Sequence, residues 1–166
     1  MNYADHNKIT VRFHNEKDLS NIKNIYNICN YRIQYLQSDC FILAEYDGEV
    51  IGICRLCYEP DPTMLPHYLV ARGMNVHPDY RNQKVGSLLI DFMSKVIGNQ
   101  VCYLITYGYL EKWISTVGFE RIDVLKDINI IPPHLLERYH NYTHIKPNST
   151  LIMMLKNKEF YVDRKG

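Results

Sequence analysis

The sequence predicts a mixed α/β protein: a central, mostly antiparallel sheet of about six to seven strands flanked by helices. Three observations predict it. Strand-like and helix-like segments follow one another as β-α-β-β-β-α-β-α-β, then a less readable stretch, then a last apolar strand. Asp47-Gly48 stands between two strand-like runs and is the strongest short hairpin signal in the chain. Near the middle, a strand ends in a short polar loop and an amphipathic helix starts at once. The 166 residues suit one domain spanning residues 1–166, with a core over about residues 9–156.

The elements follow in order. Ile9 to Phe13 alternates around Val11 and reads as the first strand. Asn15 with Asp18 three residues on has the form of a helix N-cap. Leu19, Ile22, Ile25, Tyr26 and Cys29 make one face of a helix that ends near Arg32. Phe41 to Tyr46 and Val50 to Cys57 are the two arms of the Asp47-Gly48 hairpin. Glu59 to Pro66, with three prolines, reads as a loop, and Leu69 to His77 as the next strand, stopped by Pro78. A helix begins near Gly86, with Leu88, Leu89, Phe92, Met93 and Val96 as its stripe and Gly98 at its end. Val101 to Tyr107 is a strand, Leu110 to Thr116 a short helix, and Phe119 to Val124 another strand. Ile131 to His144, with Pro132-Pro133, has no clear period and reads as loop-like. Thr150 to Leu155 is the final strand.

Composition narrows the function. At 46% hydrophobic and 22% charged, the chain is an ordinary soluble one. Lys+Arg 19 against Asp+Glu 18 leaves a net charge of +1, so nothing steers it as a whole toward nucleic acid, and any anion site must be local. No apolar run approaches the roughly 18 residues of a membrane span. Met1 to His6 lacks the basic and apolar regions of a signal peptide. Five cysteines, an odd number without secretory context, read as reduced thiols in the cytoplasm.

The chemistry concentrates in Val76-His77-Pro78-Asp79-Tyr80-Arg81-Asn82-Gln83-Lys84-Val85-Gly86-Ser87-Leu88-Leu89. A polar loop feeding a helix N-terminus aims backbone N–H groups at one spot, and the helix adds about half a positive charge there. Arg81 and Lys84 add mobile cations, so the segment suits a phosphate or pyrophosphate. The plain alternative is a β-α connection with solvated charges.

These residues resemble motif A of the GCN5-related N-acetyltransferases, the GNAT superfamily. Val76, Pro78, Tyr80, Arg81 and Gly86 match the family pattern. Lys84 departs, standing where the family's first glycine permits a positive φ. The resemblance covers roughly residues 9–156. Trp113 to Phe119 resembles motif B, which ends in Gly-Phe, but Ile114 occupies the place where many members carry a tyrosine general acid. The Trp113 segment, Ile131-Pro132, Tyr139-His140-Asn141-Tyr142 and Ser149 to Met153 are similar, with gaps, to bacterial N-acetylglutamate synthases.

The resemblance implies acetyl-CoA as cosubstrate and no metal. Its pyrophosphate would lie on Arg81, Asn82, Gln83, Lys84, Val85, Gly86 and Ser87, and its pantetheine beside the strand from Arg72 to Val76. A backbone N–H near Met74 or Asn75 would polarise the acetyl carbonyl, an effect worth about 3 kcal/mol where measured. With Ile114 in the acid's place, Tyr107 and Tyr109 at the exit of a strand are the candidate proton donors to the departing thiolate, unless none is needed, since a thiol of pKa near 8.5 leaves readily. The attacking amine must first be neutral. A lysine amine of pKa about 10.4 is about 0.1% neutral near pH 7.4, a cost of about 4 kcal/mol, whereas an α-amine of a peptide costs under about 1 kcal/mol. Glu45, Asp47, Glu59 and His67 are the bases to consider, each also readable as solvated surface. Arg55 and Arg72, on neighbouring strands, could fork an acceptor's α-carboxylate, or could face solvent or the CoA phosphates. Lys146, in a late loop, is a further candidate for the acceptor.

Other signals are weaker. Cys54 and Cys57 lie three apart in a strand and point to opposite faces. His140 and His144 lack the glutamate of a zinc-binding HExxH. No P-loop pattern and no nucleic-acid motif occurs. The expected activity is transfer of acetyl to a small primary amine or free amino acid by direct attack in a ternary complex. A protein N-terminus or lysine as acceptor, and a non-catalytic acyl-CoA-binding regulatory module, are the alternatives. Neither nucleic acid nor membrane is an expected partner. A homodimer is common in the family, and residues 125–148 could contribute to one.

Overall fold

The computed structural model describes residues 5–32, 39–61 and 64–159, apart from the side chains of His6 and residues 60–67. Strands β1 (Thr10–Phe13), β2 (Cys40–Tyr46), β3 (Glu49–Asp61), β4 (Met64–Val76), β5 (Cys102–Tyr107), β6 (Phe119–Arg121) and β7 (Leu151–Lys156) form one seven-stranded sheet in the order β1-β2-β3-β4-β5-β7-β6. The helices are α1 (Leu19–Ile28), α2 (Val85–Ile97), α3 (Glu111–Ser115) and α4 (Pro133–Ile145). The expected mixed α/β architecture is therefore present. β4 and β5 are parallel, and the β1–β2, β2–β3, β5–β7 and β6–β7 pairs are antiparallel. The chain divides into two compact units, residues 1–57 with 72–96 and residues 58–71 with 97–166.

In the first unit, Asn15 caps the turn before α1: its side chain accepts from the Lys17 N–H at 2.9 Å, and Asp18 accepts from the Asn15 N–H at 2.8 Å. α1 ends at Ile28, short of Arg32, because Asn30 turns left-handed at φ 52°. Its stripe of Ile22, Ile25 and Tyr26 buries against Phe41, Leu43 and Ile53. Each such aliphatic side chain contributes about 1.5–3 kcal/mol on burial. Asp47 and Gly48, at φ 49° and 82°, form the predicted tight turn, whose twist matches the flanking strands. α2 packs so close to β3 that a Cβ on Gly52 would stand 2.8 Å from Val85 Cγ1.

In the second unit, Tyr68, Val70, Tyr103, Met153 and Leu155 build a core that Leu135 of α4 enters. Three expectations are corrected. The loop expected over Glu59–Pro66 is instead the end of β3 and the start of β4, apart from residues 62 and 63, which lie outside the description. Proline rigidly holds φ near −65° and pushes its predecessor to extended backbone, so such a stretch can continue a strand. Of the loop-like stretch over residues 131–144, all from Pro133 onward is helical, with proline at the first helical position, where its missing N–H costs nothing. His140 and His144 therefore lie on a helix. The strand expected over Phe119–Val124 stops at Arg121.

Candidate functional site

The exit of β4 is pinned before the loop begins. His77 donates its N–H to the Ile51 carbonyl at 2.8 Å, and its Nδ1 accepts from the Asp79 N–H at 3.2 Å. Tyr80 is buried between Tyr46 and His77, with ring centroids 6.0 and 5.7 Å away. That burial explains why a tyrosine sits in an otherwise polar loop. Arg81, next in sequence, is exposed, and its Nε donates to the Val76 carbonyl at 3.1 Å. Gln83 donates back to the Asp79 carbonyl at 2.9 Å.

Asn82 and Lys84 both take positive φ, 60° and 59°. Lys84 thus adopts the backbone that glycine would supply at this place, at a cost of about 1–2 kcal/mol for an L side chain. Its own side chain is exposed, whereas Val85 is buried and anchors the first turn of α2. The Leu88 N–H to Lys84 carbonyl bond, 3.0 Å, is in place, so the N–H groups of the residues before Leu88 lie in the helix turn that has no carbonyl behind it. Backbone donors, a helix N-terminus and two exposed cations within seven residues suit a phosphate or pyrophosphate.

Just upstream, β4 is not regular. Gly73 stands at φ 58° inside the strand. Its carbonyl accepts from the Tyr26 hydroxyl at 3.0 Å and from Asn75 Nδ2 at 3.2 Å. An added Cβ would meet the Tyr26 hydroxyl at 2.8 Å. Burial pushes the Tyr26 phenol pKa upward, so it stays a donor. Met74, Asn75 and Val76 follow, half-buried. The β4–β5 ladder runs over Leu69–Ala71 and Cys102–Leu104 and does not include Met74 or Asn75. A lone glycine inside a strand pattern signals a bulge or a close approach, and Gly73 is the residue that sequence reasoning passed over.

Beside Arg81, Cys29 points its thiol at the Val76 carbonyl, 3.5 Å away. Burial raises its pKa, and a hydrogen bond from Arg81 works against that. All five cysteines are free thiols, with Cys54 and Cys57 both buried.

The two candidate arginines differ. Arg55 is 5% exposed and donates to Asp39 at 2.9 Å, so its charge is met inside the unit by a carboxylate sixteen residues earlier. Arg72 is half-buried on β4.

The second unit brings three predicted residues together. Lys146 Nζ donates to the Tyr107 hydroxyl at 2.6 Å and stands 5.2 Å from that ring's centroid. Tyr109, 80% exposed, stacks on Tyr107 at 5.5 Å and 15°. Ile114 is buried at 3% exposure and packs as core. Among the candidate bases, Glu45 is tied to Arg12 at 2.7 Å in the first unit. Glu59, half-buried, accepts from Arg138 at 2.9 Å and sits 2.9 Å from His134 Nε2, which also meets the Tyr68 hydroxyl. The His67 side chain lies outside the described residues. Among the described residues, no group of three or more His, Cys, Asp or Glu side chains could hold a metal ion, and no helix is long and apolar enough to cross a membrane.

A strand with a glycine at positive φ, a tight polar turn and a helix opening on that turn are the features an acetyltransferase-like fold requires. The family model for the acetyltransferase (GNAT) domain matches residues 37–121, and the chain belongs to that family. It is 34% identical over 120 residues to "Probable N-acetyltransferase camello" of Xenopus laevis, a match covering 67% of this chain and 51% of that protein. The chain thus spans about half the length of the curated relative it matches. Two solved structures share the fold. Arabidopsis thaliana Naa50, in complex with the bisubstrate analogue CoA-Ac-MVNAL, has a TM-score of 0.61 at 16% identity, over 90% of this chain and 98% of that one. N-acetylglutamate synthase from Neisseria gonorrhoeae, complexed with coenzyme A and L-arginine, has a TM-score of 0.59 at 13% identity, over 87% of this chain and 32% of that one.

Proposed function

We propose that the protein is an acetyl-CoA-dependent N-acetyltransferase acting on a small primary amine, with a free amino acid as the favoured acceptor. The observation that carries this is the left-handed Lys84 at the head of α2, with Arg81 three residues before it, nine residues beyond the Gly73–Asn75 stretch of β4. Membership of the GNAT family and the similarity to an N-acetyltransferase from Xenopus laevis support it.

In this reading residues 81–87 hold the pyrophosphate, and acetyl-CoA supplies the thioester. The backbone near Met74 and Asn75 donates to the acetyl oxygen as negative charge builds there. The neutral amine attacks the carbonyl carbon, a C–N bond forms and the C–S bond breaks. The amine's extra proton passes to a base or to water, and the CoA sulfur leaves as thiolate or takes a proton. Tyr107, whose oxygen already accepts from Lys146, keeps its own O–H available as that donor, and the exposed Tyr109 is the second candidate. Arg72 and Lys146 are the cations proposed for the acceptor's carboxylate. Arg55 is engaged by Asp39 within the first unit.

The test is acetyl-CoA turnover against the twenty amino acids, polyamines and short peptides, read by mass spectrometry because free thiols on the protein confound thiol-release dyes. Acetylation of one free amino acid is the expected result. Transfer only to peptides would move the function to protein modification. Binding of acetyl-CoA with no transfer to any amine would overturn the enzyme reading in favour of a binding module, consistent with the apolar Ile114.

A further inference from the structure

We propose that Tyr26 is a positioning residue for acetyl transfer: its hydroxyl holds the Gly73 carbonyl and thereby aims the Met74 N–H. The inference rests on the acetyltransferase reading above and adds to it a residue from α1, distant in sequence from the loop that carries the family resemblance.

The geometry is local to one unit. A peptide group is planar and trans, so the N–H of Met74 points opposite to the carbonyl of Gly73. Whatever fixes that carbonyl fixes the N–H. Two donors hold it, the Tyr26 hydroxyl at 3.0 Å and Asn75 Nδ2 at 3.2 Å. Gly73 at φ 58° permits the turned peptide, and a side chain there would run into the Tyr26 hydroxyl. Glycine has the greatest conformational freedom of any residue type, so this peptide needs a tether to keep one orientation. Tyr26 can serve because it is itself immobile. It is 1% exposed, its ring lies 5.0 Å from that of Tyr31 and 6.5 Å from that of Phe41, and Ile22 and Ile25 pack beside it. The tyrosine therefore carries a rigid helix contact to the backbone of β4. A phenylalanine would fill the same core position equally well. The hydroxyl is what packing alone does not require.

A preorganised donor accelerates reaction because it needs no reorientation as charge develops. Loosening the tether lets the peptide rotate, so the loss falls on the transition state and on the polarised carbonyl, and little on overall binding.

The experiment compares wild type, Tyr26→Phe, Asn75→Ala and the double variant. The first readout is the infrared carbonyl band of bound [1-13C]acetyl-CoA, which needs no acceptor. The second is kcat and KM on the best acceptor. In the wild type the band should move on binding. In Tyr26→Phe it should return toward its position in free acetyl-CoA, and kcat should fall about tenfold with KM for acetyl-CoA within about twofold. That is less than the roughly 10²–10³ lost when an oxyanion donor itself is removed. Asn75→Ala should act the same way on the same carbonyl, and it reads the effect even if Tyr26→Phe does not fold. A Tyr26→Phe protein that folds with an unshifted band and unchanged kcat overturns the tether and leaves the acetyltransferase reading standing. A wild-type protein that binds no acetyl-CoA overturns both.

Discussion

Arg81 donates from Nε to the carbonyl oxygen of Val76 at 3.1 Å, which ties the first cation of the turn to the last residue of β4. The strand end and the turn proposed to hold phosphate are thus one structural piece, and Arg81 is exposed at its surface. Arg81→Ala should weaken CoA binding at least tenfold, as loss of a charge-assisted phosphate contact does. Calorimetric titration with CoA checks it. Unchanged affinity in a folded variant rules out residues 81–87 as the phosphate loop.

Lys84 separates backbone from charge. Its φ of 59° costs an L side chain about 1–2 kcal/mol that glycine does not bear. Lys84→Gly should therefore raise Tm by about 2–4 °C, less whatever glycine loses in unfolded-state entropy. The same change should weaken CoA binding severalfold, because an ammonium group is gone. Thermal unfolding with and without CoA measures both effects, and a fall in Tm without ligand would show that the lysine side chain holds the turn together.

Gly52 is where α2 meets β3. A methyl group there would stand 2.8 Å from Val85 Cγ1 and 3.0 Å from Leu89 Cδ1. Gly52→Ala should destabilise by about 1–3 kcal/mol through overpacking. It should also weaken CoA binding, since Val85 seats the first turn of the helix. Urea unfolding together with a CoA titration tests the pair of effects.

Asp18 gives a pH dependence with a definite sign. Hydrogen bonds from Arg12 at 2.7 and 2.9 Å, aided by the Asn15 N–H, lower its pKa from 3.8 to about 2. A carboxylate with a depressed folded pKa adds stability that is complete above its unfolded pKa and is lost as pH falls through the folded one. The contribution, about 2 kcal/mol, should therefore fade between about pH 4 and pH 2. Asp18→Asn should lower stability by a similar amount at pH 7 and by little near pH 2. Denaturant curves at the two pH values decide it.

Much of the fold was legible because it is set by neighbours in sequence. The Asp47-Gly48 turn, the Asn15–Asp18 cap and the stripe of α2 each depend on residues within one or two turns. The positive φ at residue 84 was legible only through the family resemblance, which places a glycine there. α4 escaped the reading because its apolar positions, Leu135, Leu136 and Tyr139, are few, and the intervening His134, Glu137, Arg138 and His140 blur the period. The proline at its first position and those three residues together were the usable signal.

By itself, then, the sequence determined the order of the elements apart from α4, the polar turn before α2 and the family resemblance, since turn chemistry and apolar spacing act over a few residues. Only the tertiary structure decided which distant groups meet. It gave Arg55 its carboxylate partner Asp39, set Lys146 on Tyr107 thirty-nine residues earlier, and placed the Tyr26 hydroxyl on the carbonyl of Gly73. These pairings depend on strand register and helix docking. A one-residue slip of β3 or β5 would turn Arg55 or Tyr107 to the opposite face of the sheet, and no local preference encodes that choice.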